Sequence, residues 1–120
     1  MDKINNSLQQ LIADILASDI YRQYDIQRIR VNAMPELKAE IDEYRRKNLE
    51  LQTNEHTTLD QIDSFEREYQ RFRENPIVAD FLAAELAFCR LMQDISLRLT
   101  DAMHFEYLFR AMRMNGVLNS

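Results

Sequence analysis

An all-α bundle of long helices is the fold class this sequence predicts, and three observations predict it. The 120 residues include one Gly and two Pro, too few for strands joined by tight turns. Apolar residues recur at spacings of three and four, the helical period, over most of the chain. Both prolines stand where a helix would begin, Pro35 after Met34 and Pro76 after Asn75. The length fits one domain, residues 1–120. Long helices expose much surface for their volume, so the bundle is expected to be completed by dimerisation.

The first helix is expected over residues 3–32. Ile4, Leu8, Leu11, Ile12, Ile15 and Leu16, then Ile20, Tyr24 and Ile29, supply its apolar face. Its second half is more polar and carries Arg22, Arg28 and Arg30. Pro35 biases Met34 away from the α region and opens a second helix, residues 35–52. Leu37, Ile41 and Tyr44 make a thin apolar stripe there, among charged pairs such as Asp42 with Arg45 and Glu43 with Lys47. That pattern predicts a helix outside the main core.

The polar run from Thr53 to Thr58 is the best internal break. Thr58 and Gln61 have capping-box spacing, so a third helix is expected over 58–74. One continuous helix from Pro35 to Glu74 is the alternative, because no Gly or Pro enforces the break. Leu59, Ile62, Phe65, Tyr69 and Phe72 form the seam of the third helix. Asn75 and Pro76 end it and start the fourth, residues 76–103, with Asn75 as the cap.

The fourth helix is the long central one. Ile77, Phe81, Ala84, Phe88, Leu91 and Ile95 make one stripe; Val78, Leu82, Glu85, Cys89, Met92, Ser96, Leu99 and Met103 make a second beside it. Two adjacent stripes are wider than a surface helix needs, so neighbours are expected on at least two sides. The tail, with a short helical segment at 104–115, is rich in large apolar groups. It either continues the fourth helix or folds back, and left undocked it would mark an interface.

The formal net charge of −5 argues against generic nucleic-acid binding, which relies on Lys and Arg against phosphate. Cys89 is the only cysteine and has no intrachain partner for a disulfide. No secretory signal precedes the first helix, and no apolar run approaches the ~18 residues that a membrane-crossing helix needs. A cytoplasmic protein without membrane insertion is the expectation.

The segment Asn75–Asp94, NPIVADFLAAELAFCRLMQD, resembles the YlbF/YmcA family of small helical bacterial regulators. In that family an Asn-Pro opens the long helix, followed by an aromatic-Leu pair, Ala-Glu and a Leu-rich continuation. Ser18, Tyr21 and Tyr24 resemble the family's Ser-x-x-Tyr-x-x-Tyr, and Pro35-Glu36-Leu37 resembles its Asp-Pro-Glu-Leu, with Met34 in place of the Asp. The resemblance runs from about Ile4 to Phe109. It implies a non-enzymatic, oligomerising regulator of bacterial development, in competence, sporulation and biofilm formation. It also implies hetero-complexes with related helical regulators, linked to RNA processing by a membrane endoribonuclease. Some members hold an iron–sulfur cluster on cysteines; one cysteine falls short of the usual four ligands, so no cofactor is carried over.

The candidate contact residues are Phe81, Glu85, Phe88, Met92, Phe105 and Phe109, on the fourth helix and the tail. Glu85 within the apolar arc is expected to pair with an arginine such as Arg22, Arg45 or Arg90, rather than to serve as an acid or base. Cys89 is expected to pack as a small apolar group. Asp101 and His104 share a helical face, but one Asp-x-x-His falls far short of the two Glu-x-x-His motifs of a di-iron bundle. No catalytic or metal residues are assigned. Arg67, Arg71 and Arg73 alternate with Glu66, Glu68 and Glu74, which fits a solvated face better than an RNA surface. A helical RNA-binding protein and a metal-dependent bundle enzyme are the alternatives, separable by salt-dependent binding and by elemental analysis.

Overall fold

Each helix boundary has a local chemical cause. In the computed structural model, which describes residues 2–104, all regular structure is α-helical. Six helices follow in order: α1 Asp2–Ala17, α2 Asp19–Asn32, α3 Pro35–Thr53, α4 Leu59–Glu68, α5 Gln70–Glu74 and α6 Pro76–Ala102.

The helix expected over 3–32 is thus two helices. Ser18 Oγ donates to the Ile15 carbonyl at 2.6 Å and accepts from the Tyr21 N–H at 3.2 Å. One hydroxyl therefore closes α1 and caps α2, and Asp19 adds a negative charge in the first turn of α2. At the next boundary Met34 has φ −124 and ψ 80, outside the α region as its proline requires, and Pro35 takes the first helical position.

Helices α3 and α4 are separate, which resolves the alternative of one helix from Pro35 to Glu74. Asn54 Oδ1 accepts from the His56 N–H at 2.9 Å within the intervening turn. Thr58 then forms a full capping box: its hydroxyl accepts from the Gln61 N–H at 3.2 Å, and Gln61 Oε1 accepts from the Thr58 N–H at 2.9 Å. Thr58→Ala is expected to lower stability by about 1 kcal/mol, read as a lower urea midpoint with an unchanged slope.

The helix expected over 58–74 bends at Tyr69, which has φ −103 and ψ 11. No Gly or Pro sits there. The Arg73 guanidinium satisfies the Glu66 carbonyl at 3.0 Å and pairs with the Glu66 carboxylate at 2.7 Å. Asn75 caps α6 through its Oδ1, which accepts from the Ile77 N–H at 3.0 Å. At the other end His104 takes φ 54, a left-handed conformation in which a non-Gly residue is uncommon. His104 thus leaves the helical path and no longer shares a helical face with Asp101. The helical segment expected at 104–115 lies, beyond His104, outside the described residues.

The described chain divides into two compact units, a middle unit of residues 24–83 and a terminal unit of residues 2–23 with 84–104. The middle unit has a closed core. Val31 from α2, Ile41 from α3 and Val78 and Phe81 from α6 are buried together, with Tyr24, Leu37, Phe72, Ile77 and Leu82 packed against them. Ile41 and Val78 are 0% exposed. A ring cluster extends the packing: Tyr44 on α3 lies 5.4 Å from Phe65, 5.2 Å from Tyr69 and 5.3 Å from Phe72, centroid to centroid. Such pairs add about 0.5–1.5 kcal/mol each beyond their area. The seam expected on the third helix holds only in its later part, because Leu59 and Ile62 are exposed.

The outer face of α3 carries the charge pairs its sequence suggested. Asp42 accepts from Lys38 at 2.8 Å and from Arg45 at 2.9 Å. These two hydrogen bonds, Lys38's first, hold the Asp42 carboxyl below its ordinary range despite some desolvation. The unfolded chain then takes up the proton at higher pH than the folded one. The contribution is complete above about pH 4 and is lost as pH falls through the lowered value. Asp42→Asn is expected to flatten the loss of stability below about pH 4, measured by urea unfolding at each pH. The effect is small because both partners are half-exposed.

Candidate protein–protein interface

In the terminal unit the same helical period produces a different result. Among its described residues none is buried, and the whole closed core belongs to the middle unit. On α1, Leu11 and Ile15 are half-buried, while Ile4, Leu8, Ile12 and Leu16 stand 47–69% exposed. Those four recur at every fourth residue and so form one continuous apolar stripe along α1. A scattered exposed leucine is ordinary, whereas four aligned on one helix make a patch that marks a contact surface.

The C-terminal part of α6, in the same unit, is similar. Phe88, Cys89, Leu91 and Ile95 are half-buried, and Leu86, Met92 and Leu99 are exposed, as is Met103 just past the helix. Tyr21 at the start of α2 meets Phe88 edge-on, with ring centroids 5.3 Å apart and planes at 62°. Along α6 the buried residues are Val78 and Phe81, both in its first turns. Both apolar stripes are present, and among the described residues those of the later half of the helix are half-buried or exposed.

The residues singled out from sequence fall into three groups. Phe81 is 4% exposed and sits in the core of the middle unit, beneath the Arg45 guanidinium at 5.5 Å. Its side chain therefore belongs to packing rather than to an open face. Glu85 and Phe88 are half-buried on α6 and Met92 is exposed, all three in the terminal unit. Phe105 and Phe109 lie outside the described residues.

The exposed stripe of α1 is a feature that reading the sequence alone did not single out. Ile4, Leu8, Ile12 and Leu16 were legible as apolar and helical, but an interface stripe and a core stripe have the same spacing. Among the described residues no three of His, Cys, Asp and Glu converge in a group that could hold a metal, and no helix is long and apolar enough to cross a membrane. The chemistry that this surface offers is association with another apolar helical face.

The family model described as "Control of competence regulator ComK, YlbF/YmcA" matches residues 4–104. A UPF0342 protein of Caldicellulosiruptor bescii is 22% identical over 110 residues, which cover 88% of this chain and 92% of that protein. No solved structure matches. With the family model spanning α1 through α6, the chain belongs to the YlbF/YmcA family of competence-control regulators.

Proposed function

We propose that the protein is a non-enzymatic regulatory adaptor that works by helix-on-helix contact, and that its first partner is a second copy of itself. One observation carries this reading: α1 holds Ile4, Leu8, Ile12 and Leu16 in solvent within a unit whose described residues include none that is buried. A stripe of four large side chains gains about 1.5–3 kcal/mol per residue when fully covered. Pairing about a two-fold axis is the simplest way to cover such a face, because each copy then brings the same stripe. The regulatory class follows from the family's description.

On this reading the α1 stripe and the exposed side of α6, with Met92 and Leu99, present the apolar surface. A related helical regulator could replace one copy, which gives hetero-complexes of the kind through which an endoribonuclease would be reached. Action in the cytoplasm, in competence, sporulation or biofilm control, is the setting proposed.

Sedimentation equilibrium of the full chain tests the self-association. The expected mass is twice 14.3 kDa at micromolar concentration, falling towards one chain on dilution. A mass of one chain at every concentration would remove the homodimer.

A further inference from the structure

We draw no further inference here: the strongest candidate, the cavity of about 430 Å³ between the second half of α3 and α4, has its charged groups already paired, Lys47 with Glu43 and Glu68 and Glu50 with Arg46, and nothing in the structure shows what fills it.

Discussion

Phe81→Ala is expected to destabilise the folded chain by about 3–5 kcal/mol, with a fall in melting temperature of roughly ten degrees or more. Phe81 is 4% exposed and meets Val31, Ile41 and Val78 in the one closed core among the described residues. It also carries a tilted ring contact with Tyr24 at 6.4 Å and the Arg45 cation. Truncation removes all of these and leaves a void that the interlocking of α2, α3 and α6 allows to relax only in part. Urea unfolding at fixed protein concentration measures the loss. Met92→Ala is the matched control. Met92 is exposed in the terminal unit, so its truncation should cost the isolated chain little and should instead weaken assembly. Equal losses at the two positions, or none at Phe81, would contradict the assignment of one to core and the other to surface.

The second large effect is expected from Leu8→Glu combined with Ile12→Glu. Both side chains lie on the exposed stripe of α1, at 50% and 47% exposure. A glutamate is a good helix former, so α1 itself should persist. Covering the altered stripe would now require burying carboxylates without partners, and the gain from two apolar side chains would be lost. Self-association is expected to weaken at least a hundredfold, which corresponds to about 2.7 kcal/mol. Sedimentation should show one chain at concentrations where the natural sequence gives two, while the unfolding midpoint of the separated chain stays near its own value. Unchanged self-association in the double variant would move the contact away from α1.

Much of this fold was readable before any coordinates. Asn75 before Pro76, Met34 before Pro35, and Thr58 with Gln61 announce helix starts through residue types that satisfy or remove specific backbone N–H groups. The break at Ser18 was not readable in the same way. A serine inside a run whose apolar spacing continues from Leu16 to Ile20 looks like a helix interior, and only the geometry shows its hydroxyl serving both helices. The bend at Tyr69 lacks Gly and Pro, and depends on Arg73 reaching back seven residues to the Glu66 carbonyl.

The candidate site was readable in part for a related reason. Periodicity states which face of a helix is apolar, not what lies against it. Phe81 and Met92 occupy the same apolar arc of α6, yet α2 and α3 close over the first while the second remains exposed. The stripe of α1 is legible residue by residue as an apolar helical face, whereas its exposure is not.

Hydrogen exchange measured across a dilution series is the most direct test of the claim that another copy covers α1. The account predicts that amides of residues 4–16 gain protection as concentration rises through the association range, while those around Val31, Ile41 and Val78 stay equally protected throughout. Protection of α1 that is already complete in the single chain, and independent of concentration, would contradict it.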